Sequence, residues 1–97
     1  MGKSSINLIK NGELTLPTWE EFKISNIGED YNFSNNGINY VLRKDICTSM
    51  MASAYYRSDI VILILDETNK KRVFDKGFTK ENYIKACEKC KELLLEE

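Results

Sequence analysis

Three groups of residues in this chain are of types that could do chemistry: Cys87-Glu88-Lys89-Cys90, the acids Asp59, Asp66, Glu67 and Asp75, and Tyr55-Tyr56-Arg57 together with Arg43 and Lys44. Each group needs a particular setting to work. A Cys-x-x-Cys pair holds zinc when a second pair of ligands completes the tetrahedron. Here the only other cysteine is Cys47, and the chain has no histidine. A redox pair wants its first cysteine at a helix N-terminus, where the dipole lowers the thiol pKa. Cys87 and Cys90 instead sit inside a helical pattern, on its apolar stripe, so they are expected in the core.

Acids at strand ends can hold a divalent cation through their carboxylate oxygens. A nuclease of the restriction-enzyme type would follow its first acid with Glu-x-Lys on the next strand, and Glu67-Thr68-Asn69-Lys70 has the wrong spacing. These acids are expected to be a solvated turn, and a metal-dependent enzyme built on Asp59 and Asp66 ranks third among the functional readings. Gly2-Lys3-Ser4 resembles the tail of a phosphate-binding loop but lacks the leading glycine and the preceding strand. Without histidine, neither a Ser-His nor a Cys-His nucleophile can form. The chain is therefore expected to be no enzyme, with no cofactor and no metal.

Tyr55-Tyr56-Arg57 is the triplet best suited to contact. Tyr and Arg combine large area with polar handles and are enriched where interfaces gain their affinity. The same types stack on bases and meet phosphates. Lys70-Lys71-Arg72, with Arg43, Lys44 and Arg57, would make a patch for a phosphate or an acidic protein, although such a run is more often a soluble turn.

The elements that would position these residues are legible from turns and periodicity. Asn11-Gly12 separates the short apolar segments 5–9 and 13–16, and Asn35-Asn36-Gly37 separates 31–34 from 38–43. Both read as hairpins, because Asn and Gly tolerate positive φ. Thr18 with Glu21 three residues on forms a capping box and predicts a short helix ending at Gly28. Trp19 and Phe22 share a face of that helix and anchor it. Asp45 suits an N-cap, and Ile46, Met50 and Ala54 recur at four-residue spacing, which predicts a second helix over 45–57. Ile60 to Leu65 is an unbroken β-branched or Leu run and reads as a strand buried on both faces, with a return strand over 72–75. Thr79 caps a last helix whose apolar stripe is Tyr83, Ala86, Cys87, Cys90 and Leu94. The fold class is α+β, a small antiparallel or mixed sheet in ββα-ββα-ββα order with helices mainly on one face, forming one domain over 1–97.

Composition bounds the functional classes. The 97 residues carry 14 Lys plus Arg against 15 Asp plus Glu, a net charge of −1, so the basic excess of a nucleic-acid binder is missing. Three cysteines, an odd number, with no apolar stretch after Met1 to Ile6 to make a signal sequence, point to a reducing cytoplasm. The longest apolar run, Ile60 to Leu65, is too short to cross a bilayer. A doubly apolar central strand wants cover on its second face, which another subunit of a homo-oligomer would supply. The leading expectation is a non-catalytic binding protein that contacts a macromolecule, most simply another protein. One version is an inhibitor encoded by a phage or mobile element, for instance of a host defence system, resting on small size, low-GC composition and missing chemistry. The alternative is an oligomeric binder of a small phosphorylated ligand, a nucleotide or signalling molecule. In either case Tyr55, Tyr56, Arg57, Arg43 and Lys44 are the candidate binding residues.

Overall fold

Two Asn-Gly turns set the register of much of this fold. Asn11 and Gly12 take φ of 53° and 81°, and Asn36 and Gly37 take 54° and 80°. Positive φ at both central residues is what a two-residue type I′ hairpin loop requires, and its twist suits the flanking strands. The computed structural model of the chain describes residues 5–47 and 59–95. The elements run β1 (Ser5–Asn7), β2 (Ile9–Lys10), β3 (Glu13–Leu14), α1 (Trp19–Ile24), β4 (Asp30–Asn35), β5 (Ile38–Cys47), β6 (Asp59–Asp66), β7 (Lys71–Gly77) and α2 (Lys80–Leu95).

The result is a small α+β fold with a mixed five-stranded sheet, in the order β1-β4-β5-β6-β7, and a C-terminal helix. β1 runs parallel to β4, and the other three pairings are antiparallel. The segment expected to be one strand over 5–9 breaks at Leu8. The Leu8 N–H donates to Asn32 O, its carbonyl accepts from Thr15 N–H, and Asn7 Oδ1 takes the Ile9 N–H. β2 therefore leaves the main sheet and pairs with β3 alone. β7 meets β6 through a bulge: Ile64 faces Phe74 while Leu65 faces Arg72, so Val73 is the extra residue.

The capping box is present in full around α1. Thr18 Oγ1 accepts from Glu21 N–H at 3.1 Å, and Glu21 Oε1 accepts from Thr18 N–H at 3.0 Å. The helix stops earlier than its sequence suggests, with Ser25 as C-cap rather than Gly28. Ser25 draws its N–H and its hydroxyl onto Phe22 O, while Gly28, at φ 89°, serves the turn that follows.

A second correction concerns 45–57. Asp45, Ile46 and Cys47 do not start a helix; they extend β5, paired with Val61, Ile60 and Asp59. A ten-residue strand joined to its neighbour by a continuous ladder outweighs a lone N-cap signal. The rest of that predicted helix lies outside the described residues.

Alternation along the strands gives the sheet two unlike faces. The inner face carries Tyr31, Phe33, Tyr40, Leu42, Ile62 and Ile64, which join Phe22 of α1 and Tyr83, Ala86, Cys90 and Leu93 of α2 in one buried cluster. At about 25 cal/mol per Å², such burial is the main term holding a fold of this size together. Asn35 fastens the far end of α2 by donating to the carbonyls of Leu93 and Leu94. Thr79 Oγ1 accepts from Asn82 N–H at its start.

Candidate functional site

The outer face of the sheet is built from the other half of the same strands. Along one row Ser5, Asp30, Arg43, Leu63 and Asp75 stand side by side; along the next stand Asn7, Asn32, Val41, Leu65 and Arg72. No aromatic residue occupies these positions.

Arg43 is at the centre. Its Nε donates to Asp30 Oδ1 at 2.7 Å and its Nη2 to Asp30 Oδ2 at 3.1 Å, a two-pronged pair between side chains that are only 14% and 15% exposed. The hydrogen bonds it donates to Asp30 raise the Arg43 pKa, against the opposing effect of burial. The pair separates two shallow depressions. One, of about 610 Å³, lies over β5, β6 and β7 and is lined by Arg43, Asp45, Leu65, Lys71 and Arg72, with Glu67 and Lys70 from the β6–β7 turn. The other, of about 420 Å³, lies over β1, β4 and β5 and is lined by Ser5, Asn7, Asn32, Ser34 and Asn39. Asn32 Nδ2 donates to Ser5 Oγ there. On the first depression Arg72 is paired with Asp75 at 2.7 Å in the open, and Lys70 in the turn and Lys71 at the start of β7 are exposed.

The structure does not bring all the candidate residues together. Arg43 and Lys44 are sequence neighbours on one strand and so face opposite sides of the sheet. Lys44 is buried on the inner face, where its Nζ donates to Phe22 O and Lys23 O. The two cations cannot meet one phosphate on one surface. Tyr55, Tyr56 and Arg57 lie outside the described residues.

The acidic group is dispersed as well. Asp59 and Asp66 close opposite ends of an eight-residue strand, roughly 23 Å apart at ~3.3 Å per residue, so no single ion reaches both. Asp66 is engaged in its own turn, accepting from Asn69 N–H at 2.9 Å and Asn69 Nδ2 at 2.8 Å. Those bonds hold its carboxyl below the ordinary range.

The cysteines of the Cys-x-x-Cys pair are both free thiols on α2. Burial pushes Cys87 up and Cys90 up to about 12, which keeps both protonated and unreactive at neutral pH. Among the described residues, no helix is long and apolar enough to cross a membrane.

Asp30 and the outer-face amides Asn7, Asn32 and Asn39 escaped the sequence reading. Their signal was present: Asp30, Asn32 and Ser34 alternate with Tyr31 and Phe33, the period of a strand with one wet face. Comparison with known protein families, with characterised proteins and with solved structures finds no match for this chain.

Proposed function

We propose that this chain is a non-catalytic binding protein that contacts another protein through the outer face of its sheet. The observation that carries the reading is the shielded Arg43–Asp30 pair, set between two open depressions and near the half-buried Leu65, with Val41 and Leu63 buried on the same face. A protein interface typically has an apolar centre, a polar rim and arginine among its anchors. The rim here is of both signs: Asp45 and Glu67 alternate with Lys70, Lys71 and Arg72. A surface that neutralises phosphates would carry one sign. The small-phosphate reading draws less support, since Arg43 is already engaged by Asp30 and Lys44 by backbone carbonyls.

With this goes the finer reading of the fold, in which 1–97 is one domain with helices on one face, leaving the other to a partner or a second subunit. An inhibitor carried by a phage or mobile element and acting in the cytoplasm fits the proposal.

The test is native mass spectrometry of the chain gently purified from a bacterial lysate, compared with Leu65→Asp. The expected result is a co-purifying protein that is lost in the variant while its circular dichroism and melting stay close to the parent's. A closed oligomer carrying a few hundred daltons per subunit, unaffected by Leu65→Asp, would sink the proposal in favour of a small-ligand binder.

A further inference from the structure

An exposed Asn-Gly pair can react with itself. The Gly nitrogen attacks the carbonyl carbon of the Asn side chain, a C–N bond forms, and ammonia leaves. The N–H proton passes by way of solvent to that ammonia, and a cyclic imide remains. Water then opens the imide at one of its two carbonyls. Opening at the side-chain carbonyl leaves an aspartyl residue. Opening at the main-chain carbonyl leaves an isoaspartyl residue, whose backbone runs through the side-chain carbons. Glycine is the successor that obstructs the attack least, because it has no Cβ. The chain has two such pairs, Asn11-Gly12 and Asn36-Gly37, and all four residues are exposed.

Both pairs stand in turns that hold the reaction off. A type I′ turn gives its first central residue a ψ of about 30°, which sets the Gly nitrogen on the side away from the Asn side chain. Ring closure therefore waits for the hairpin to open, and its rate follows the fraction of time the turn is open. The two hairpins differ in what keeps them shut. Asn36-Gly37 joins β4 to β5 across six residue pairs, from Asn35 with Ile38 to Asp30 with Arg43. Asn35 donates to Leu93 O at 2.9 Å and to Leu94 O at 3.2 Å, so α2 grips one side of the turn. On the other side Asn39 N–H donates to Thr68 Oγ1 at 2.9 Å, and Asn39 O accepts from Glu67 N–H at 2.8 Å. Asn11-Gly12 instead joins β2 to β3 across two pairs, Ile9 with Leu14 and Lys10 with Glu13, outside the five-stranded sheet. One further backbone bond, from Thr15 N–H to Leu8 O, closes the base of this hairpin. A two-stranded ribbon of this kind is marginal in water.

We propose that Asn11 is a site of spontaneous covalent modification, converting to an aspartyl or isoaspartyl residue while the rest of the chain stays folded and Asn36 stays an amide. Either product adds a negative charge at the tip of the β2–β3 hairpin. The isoaspartyl form also adds a backbone atom to a loop whose geometry admits two ordinary residues, so it undoes the pairing of Ile9 with Leu14. Those two side chains pack against the core cluster from the hairpin. Leu8 keeps its separate bond to Asn32 O, which confines the damage to the hairpin. The proposal does not depend on what the outer face of the sheet binds.

The experiment incubates the full chain in mildly alkaline buffer, folded and in concentrated urea, and follows both sites by mass spectrometry of proteolytic peptides. In the folded chain Asn11 is expected to convert at least about tenfold faster than Asn36, because its turn opens without disturbing the sheet. In urea the two rates are expected to converge, since neither turn then exists. Equal rates in the folded chain, or a faster Asn36, overturn the proposal. So does an Asn11 that keeps its amide in the folded chain over the time in which urea converts it. A ratio that persists unchanged in urea overturns it as well, because neighbouring residues and not the fold would then set the difference.

Discussion

The two faces of the sheet are made from alternate residues of the same strands, yet they are held together by different physics. On the inner face, Ile62 and Ile64 are fully buried among Phe22, Leu42, Tyr83 and Cys90. Six aromatic pairs tie the described residues together, and those that involve sheet strands lie on this side, Phe33 stacking on Tyr40 and Phe22 tilting on Tyr31. On the outer face order comes from pairing: Arg43 with Asp30, Arg72 with Asp75, Asn32 with Ser5. A hydrophobic face is specified by volume and tolerates no gap. A paired face is specified by geometry and charge, and leaves room for an outside partner.

Substitutions one residue apart sharpen that contrast most. Ile64→Ala removes a fully buried inner side chain and is expected to destabilise the fold by about 2–5 kcal/mol in urea unfolding. Leu65→Ala, half-buried on the outer face, should cost about 1 kcal/mol. Equal losses at the two positions would break the contrast, and would mean the outer face is packed as tightly as the inner. Asp30→Ala comes next, leaving the mostly buried Arg43 without its acceptor; a loss of about 2 kcal/mol is expected, relieved when Arg43 is replaced by Met in the same chain. Asp66 supplies a pH test. Its folded pKa lies below the ordinary 3.8, so its contribution is complete above that value and disappears as pH falls through the folded pKa. Asp66→Asn should flatten the decline in stability below about pH 4. The smallest effect belongs to Arg72→Ala, whose exposed pair with Asp75 is worth about 0.5 kcal/mol or less in a thermal melt.

Local chemistry made the framework readable. Asn-Gly turns, the Thr18–Glu21 capping box and the apolar run of β6 each act within a few residues, and each stands where the sequence placed it. The Asp30–Arg43 pair was within reach of the same logic. A two-residue loop at Asn36-Gly37 fixes Asn35 opposite Ile38, and counting outward puts Asp30 opposite Arg43. What stayed hidden was decided at a distance. Lys44 spoils the alternation of β5 because its partners are carbonyls of a helix, 21 and 22 residues earlier. Asp45 resembles a helix cap, and only its ladder to β6 reveals a strand. The parallel pairing of β1 with β4 spans the whole of the β2–β3 hairpin and α1, so no local signal announces it.

The bulge at Val73 has a consequence for how these molecules behave in a crowd. β7 is the long outer edge of the sheet, and a straight edge is a template onto which the next chain can crystallise strand by strand. Here the edge is kinked at Val73 and studded with Lys71, Arg72 and Lys76, and the opposite edge, β1, is three residues long. Growth of a fibre from either rim would have to begin on a bent ledge carrying Lys71, Arg72 and Lys76 or on a stub, and both disfavour strand-by-strand addition.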